Sequence, residues 1–383
     1  MRVEDGKRIP IKLWLDDIED GAMEQYRNLA KLPFAYHHIA GMADSHQGYG
    51  MPIGGIIATR DVILPYCVGN DIGCSMSASK TAFASIEKEK LKLIMSEIRN
   101  RIPLGCDHQK EPRNWDGFDN APDIKIIQQE LQSAHYQLCT LGSGNHFLEI
   151  QSGSDGNVWV MIHSGSRNLG SKICHEYHTK AKELCEKYYS DIPDPYLSFL
   201  PMDTKDGQDY FVAMKFALAF AKENHRQMMN AVDESFKTIL GMGLTGEISY
   251  IHHNYAVMEH HFGKNVMVHR KGAVKAYEGD KGIIPGSQGT SSYIVRGLGN
   301  PESFKSSSHG AGRRLGRGAA IRSLSLEDEK RKLDEKGIIH AVRTAQDLDE
   351  ASGAYKDIET VMENQKDLVE IEIKLLPMAV IKG

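Results

Sequence analysis

The 383-residue sequence predicts one mixed α/β (α+β) domain over residues 1–383, with a strand-rich core and a helical insertion at about 168–245. Three observations predict it. Apolar residues make up 41% and charged residues 25%, the balance of a globular chain and not of a disordered or collagen-like one. Short apolar runs between Gly-rich stretches fill the first third and the region after residue 247. Between 168 and 240 the apolar spacing lengthens to that of helices. No internal repeat of about 20–50 residues interrupts this pattern.

The elements follow in order. Tyr36–Gly41, Ile53–Thr59 and Asp61–Val68 read as strand segments, with Ala43–Gly50 and Gly69–Cys74 as the turns between them. Ile86–Arg99 and Ile124–Leu138 carry apolar residues at helical spacing. Arg101–Asp119 lies between them, rich in Gly, Pro, Asn and Asp, and reads as an ordered loop. Strands return at Phe147–Gln151 and Val158–His163. Leu169–Tyr189 and Tyr210–Leu240 read as helices, the second long and amphipathic through Phe211, Met214, Phe216, Phe220 and Met228, and Ile192–Pro201 separates them. Strands resume after 247, with loops at His252–Asn254, Ile284–Ser291 and Ser306–Gly318. A charged helix, Leu326–Glu335, and a β-rich run, Leu368–Ile381, follow.

Composition narrows the function classes. No run of about 18 apolar residues occurs, so no membrane partner is expected. The start MRVEDGKRIP has no apolar secretory core, so the cytoplasm is the expected compartment. Six cysteines without a CxxC pair argue against a disulfide framework and leave room for one metal-bound or reactive thiolate. A net charge of −5 gives no global nucleic-acid signal, so an anionic partner must be held by local patches. The phosphate loop GxxxxGK[ST], a strand-to-helix GxGxxG and a KxDG lysine-nucleotidyl motif are all absent.

The chemistry gathers in five loops that pair a ligand-type side chain with small residues: Val68–Cys74, Gly142–Phe147, His163–Arg167, His252–Asn254 and Ser307–Arg313. Asp71 and Cys74 stand three apart across a glycine, and His146 and His163 flank a candidate hairpin. Mixed carboxylate, thiolate and imidazole donors suit a transition metal, since magnesium prefers oxygen alone, and leave manganese, iron, zinc and cobalt open. Any one of these residues alone is more often a core group, Cys74 a buried small hydrophobe above all. Repetition in five Gly/Asn/Ser frames is what core packing does not explain. His260-His261 read as exposed, and Cys174–His178 as structural, because it lacks the HExxH spacing. Anion binding is the second theme. Ser164–Arg167 opens a predicted helix, where free N–H groups favour phosphate. Six basic residues between Arg296 and Arg322 surround His309 against one acid, Glu302, which suits a phosphate-rich substrate.

Together these motifs resemble the RtcB family of RNA-splicing ligases. Those that carry the resemblance are Ala43–Gly50 (ADSHQGYG), Gly69–Cys74, Gly144–Phe147, His163–Arg167, His253-Asn254, His269–Gly272, Ser308–Arg313, Ala354–Asp357 and Lys382-Gly383, in family order from about Ala43 to Gly383. The resemblance implies an RtcB-like single domain and a ligase that uses GTP and two manganese ions. It joins RNA 2′,3′-cyclic phosphate or 3′-phosphate ends to 5′-hydroxyl ends, in tRNA splicing or RNA repair. It further implies that Asp71, Cys74, His146, His163 and His253 hold the two ions, with Cys74 bridging, and that His309 takes GMP covalently. Asn145, Phe147, Glu149, His253, Asn254, Pro285, Gly286, Gln288, Ser292, His309, Ala311, Gly312, Arg313 and Lys382 would line the nucleotide, and Arg167 would hold an RNA phosphate. RNA is the implied partner, and an archease-like activator accompanies some members. Gln288, where the family often has methionine, and Ser75, where glycine is more usual, are the departures. A metal phosphodiesterase that only opens cyclic ends would need neither His309 nor the nucleotide loop, and a non-catalytic RNA-end binder would need none of this chemistry.

Overall fold

The computed structural model describes residues 1–383 as a mixed α/β protein built on two large sheets. The first, six-stranded sheet runs Arg2–Glu4, Ile11–Leu13, Ala35–His46, Ile53–Thr59, Lys264–Lys271, Asn254–His261 in spatial order. The two-residue period sorts its side chains. Ile39 and Ile57 face one cluster with Tyr26 and Leu29, while Ala40, Ile56, Ala58 and Val268 face another.

The second, seven-stranded sheet runs Ser249–His252, Ser75–Lys80, Val158–Ser164, Phe147–Gly153, Val369–Lys382, Ser292–Gly297, Lys281–Ile284. It curls strongly. Ile283 and Ile294 from one end share a small cluster with Met76 and Ala78 from the other, and the long Val369–Lys382 strand shifts register between Pro377 and Ala379. Its opposite face packs on the second half of the helix Lys205–Leu240, where Met228, Met229, Val232 and Phe236 meet Leu148, Ile150, Val160 and Ile162. The first half of that helix packs with Arg167–Lys187 and reaches Ala256 and Met267 of the six-stranded sheet. No helix is long and apolar enough to cross a membrane.

Local differences from the sequence reading have physical causes. Asp20–Lys31 is an amphipathic helix burying Ala22, Met23, Tyr26, Leu29 and Ala30, in a stretch read only as strands and loops. Asp61–Val68 is a two-residue strand, Val62-Ile63, followed by the short helix Pro65–Val68, because Pro65 starts a turn of helix and cannot continue a ladder. The turn expected from Ala43 begins later, since Ala35–His46 stays extended. His253 is a one-residue junction between two strands, not a longer loop. His261, read as exposed, is buried against Glu259, with Nε2 2.8 Å from Oε2.

Candidate active site

The metal-type residues gather at one end of the curled sheet because register puts them there. Ser75 pairs with both Ser164 and His252, His163 with Phe147, and Phe147 with Lys382. Cys74, His163, His146, His253 and Lys382 therefore sit at or beside adjacent strand ends. Asn254 ties the loops together. Its amide donates to Asp71 O at 2.9 Å, and its side-chain oxygen accepts from Gly272 N–H at 2.7 Å. The His253 N–H donates to Cys74 O at 3.0 Å.

Two donor groups share one sulfur. Cys74, His163 and His253 form one, and Asp71, Cys74 and His146 the other, with the donor atoms of each within 4.8 Å of one another. Cys74 Sγ lies 3.1 Å from His163 Nε2 and 3.5 Å from His146 Nε2. His163 Nε2 is 3.4 Å from His253 Nε2, and His146 Nε2 is 3.3 Å from Asp71 Oδ2. His146 Nδ1 lies 3.0 Å from Leu141 O, and His163 Nδ1 3.1 Å from Asn145 O. A carbonyl only accepts, so Nδ1 carries a proton in both rings and each Nε2 points inward, the nitrogen through which the ring would ligate a metal. Burial, reinforced by the neighbouring imidazoles, pushes His163 and His253 well below the usual histidine range. Burial and then Asp71 push the Cys74 thiol up. A carboxylate, a sulfur and three imidazole nitrogens thus converge from separate loops, and the donor set fits transition-metal ions.

Gly142, at φ +97°, lets this corner close. A Cβ there would lie 2.1 Å from Arg167 Nη1 and 2.5 Å from His146 Nδ1. Arg167 is fixed behind Asp71, donating from Nε to Thr140 Oγ1 at 3.1 Å and from Nη2 to Gly105 O at 3.2 Å.

A cleft of about 360 Å³ opens from the donors. Asp71, Cys74, His163 and His253 line it together with Asn145, Phe147, Glu149, Asn254, Pro285, Gly286, Gln288, His309, Ala311, Gly312, Arg313 and Lys382. His146 and Arg167 stand behind its wall. So does Ser292, whose buried Oγ accepts from the Gly286 N–H and from Gln151 Nε2, both at 3.2 Å.

His309 enters from the loop after the short strand Ser306–Ser308, its ring centroid 4.7 Å from that of His253. Sequence reasoning missed what holds it. Asp44, fully buried, accepts from His309 Nδ1 at 2.6 Å and from the His309 N–H at 3.1 Å. Burial opposes ionisation of Asp44, yet His309, His46 and Lys356 around it hold the carboxyl below its usual range. With Nδ1–H committed to Asp44, His309 offers Nε2 as its free nitrogen. Asp44 lies in a motif already singled out (Ala43–Gly50), but its role depends on a partner 265 residues away.

The far wall is built on a buried acid also missed. Glu350 accepts from Arg313 Nη1 at 3.0 Å, from Arg317 Nε at 2.9 Å and from the Tyr355 hydroxyl. Gln288 Nε2 donates to Glu350 O at 2.9 Å. The basic run around His309 therefore divides: Arg313 and Arg317 face the cleft, while Arg296 pairs with Glu372 at 2.7 Å. Burial raises Glu149 to about 8, against the pull of Gln151 and Lys382. Burial also lowers Lys382, opposed by Glu350 and Glu149. Lys382 Nζ lies 5.9 Å from the Phe147 ring centroid.

The cleft thus joins a two-group metal-type centre, a free imidazole nitrogen and a charged pocket. The family model described as tRNA-splicing ligase RtcB matches residues 25–121 and 113–383. An RNA-splicing ligase RtcB from Escherichia coli K12 is 38% identical over 400 residues, covering 98% of this chain and 97% of its own. RNA-splicing ligase RtcB1 from another Escherichia coli strain (ATCC 25922) is 37% identical over the same shares. A tRNA-splicing ligase RtcB from Thermococcus kodakarensis is 32% identical, over 98% of this chain and 95% of its own. Likeness of this extent, over nearly the whole length of the chain, means that the chain belongs to the RtcB family of RNA-splicing ligases.

Proposed function

We propose that the chain acts as one domain over residues 1–383, a GTP- and manganese-dependent RNA ligase. It would join 2′,3′-cyclic phosphate or 3′-phosphate ends to 5′-hydroxyl ends of spliced or broken tRNA-type RNA. The observation that carries this reading is His309 beside a double donor group in one cleft, with its Nδ1 occupied by Asp44. Asp71, Cys74, His146, His163 and His253 would hold two manganese ions, with Cys74 common to both. Bound there, the ions supply positive charge that polarises phosphate oxygens and orients a leaving group.

The chain's own residues account for the rest. His309 Nε2 attacks the α-phosphorus of GTP, forming an N–P bond as the bond to pyrophosphate breaks. Asp44 keeps the ring in the attacking tautomer and stabilises the positive charge that it gains. Asn145, Phe147, Glu149, Asn254, Pro285, Gly286, Gln288, Ala311, Gly312, Arg313 and Lys382 would surround the guanosine nucleotide, with Ser292 bracing Gly286. An RNA 3′-phosphate oxygen, opened from the cyclic form by water where needed and held by Arg167, then takes GMP from His309. The 5′-hydroxyl oxygen finally attacks the RNA 3′-phosphorus and GMP leaves.

Incubation with manganese and α-labelled GTP should yield an acid-labile protein–GMP bond that is absent from His309→Ala. Opening of cyclic phosphates by a protein that never takes up label would make it a phosphodiesterase and overturn this reading.

A further inference from the structure

Two tyrosines of the cleft, Tyr49 and Tyr66, belong to none of the machinery above. They meet a third, Tyr196, and each comes from a separate segment: the loop after Ala35–His46, the short helix Pro65–Val68 and the turn Pro195–Leu197. Ring centroids are 4.9 Å apart for Tyr66 and Tyr196, 5.3 Å for Tyr49 and Tyr196, and 6.4 Å for Tyr49 and Tyr66. His178 backs the group, edge-on to Tyr66 at 4.4 Å and stacked on Tyr196 at 5.7 Å. Tyr66 is buried, but Tyr49 is 63% exposed and Tyr196 38%.

Exposed tyrosines are ordinary; exposed tyrosines held in place are not. Lys271 Nζ, buried, donates to Tyr49 O at 2.6 Å and to Met51 O at 3.0 Å. Gly50, at φ +70°, lets the loop lie on Tyr196, where a Cβ would come within 2.9 Å of the Tyr196 Cβ. Asp194 Oδ1 accepts from the Tyr196 N–H at 2.9 Å. The backbone that carries the two exposed rings is therefore anchored before anything binds, which lowers the entropy cost of a contact. Tyr66 stands five residues before Asp71, so at most about 18 Å of chain separates the platform from a metal-type donor. Aromatic faces beside a phosphate-handling cleft match the π-faces of unpaired nucleobases, which stack on aromatic side chains whatever their sequence.

We propose that Tyr49 and Tyr196, backed by the buried Tyr66, form a platform on which an unpaired nucleobase of the RNA stacks beside the end being joined. This rests on the RNA-ligase reading. The test measures binding of two unstructured RNA oligonucleotides, one ending in 3′-phosphate and one beginning with 5′-hydroxyl, each scanned with single abasic positions near the end. Tyr49→Ala should weaken one of the two by about 5- to 100-fold, and Tyr196→Ala should weaken the same one. Tyr49→Phe should bind within about twofold of wild type, because the stacking face remains. An abasic nucleotide at one position should weaken wild type by a similar factor and have little further effect on Tyr49→Ala. The affected oligonucleotide identifies the strand that the platform serves.

Protein–GMP formation, which involves no RNA, reports that each variant is folded. A wild type that takes GMP and binds RNA with no sensitivity to any abasic position overturns the platform alone, whatever the variants do. So does a Tyr49→Ala loss that simply adds to the abasic loss. A wild type that never takes GMP strikes the ligase reading instead.

Discussion

Asp44→Asn isolates the group that, in the proposed reading, makes His309 a nucleophile. The side chain keeps its shape in a fully buried site, so packing is nearly conserved. What changes is charge: the 2.6 Å bond from His309 Nδ1 and the 3.1 Å bond from its N–H lose an anionic acceptor. A hydrogen bond to a charged group contributes about 1.5–3 kcal/mol, so guanylylation should slow by about 10- to 150-fold from that loss alone. If the substituted amide turns its NH₂ toward Nδ1, the proton moves to Nε2 and the loss grows further. Single-turnover uptake of α-labelled GTP at saturating manganese measures the rate, and bound manganese per chain is counted in the same samples. Metal content should be unchanged, because Asp44 belongs to neither donor group. Guanylylation at the wild-type rate would refute the reasoning; so would a slow variant that had also lost its metal.

Other expectations follow from the same geometry. Cys74→Ala should keep the fold and lose both bound manganese and guanylylation, since the sulfur is common to both donor groups; spectroscopic metal counting and labelling check each half. Deleting Lys382 and Gly383 should sharply depress guanylylation, because Lys382 pairs with Phe147 at the sheet end that lines the cleft, while thermal unfolding should move little. Glu149 has a raised carboxyl, about 8 in the folded chain against an ordinary value near 4.5, so the folded state holds more protons than the unfolded one between those values. Its stabilising contribution is full below the ordinary value and is lost as pH rises toward the folded one. The unfolding temperature of the nucleotide-free protein should therefore fall between pH 5 and 8, and Glu149→Gln should flatten that fall; an unaltered slope would contradict the assignment.

What could be read from the sequence was decided by the range of the interactions. Asp71, Cys74, His146, His163 and His253 stand out because each polar donor sits in a frame of small residues, a pattern visible within half a dozen positions. The hairpin that sets His163 opposite Phe147 was readable for the same reason, as two apolar runs around a polar turn. Asp44 was not, since nothing near it in sequence announces that its carboxylate receives the ring of His309. Glu350 was hidden likewise: an acid on a 3-10 turn reads as solvated until Arg313, Arg317 and Tyr355 converge on it. Ser292 was a lining residue only by the resemblance, and its own strand turns the hydroxyl into the wall behind Gly286. The Asp20–Lys31 helix, by contrast, is legible in the helical spacing of Met23, Tyr26, Leu29 and Ala30, although the expectation for this stretch was strands and loops.

The central claim is that His309 loads GMP while the metal-type donors serve every step. RNA already carrying the 3′-to-5′ guanosine pyrophosphate, offered with a 5′-hydroxyl strand and manganese, tests it most directly. His309→Ala should fail to join a plain 3′-phosphate end yet seal this pre-activated one, and Cys74→Ala should fail on both. Ligation of ordinary ends by His309→Ala, or its failure on the pre-activated end with metal still bound, would contradict the account.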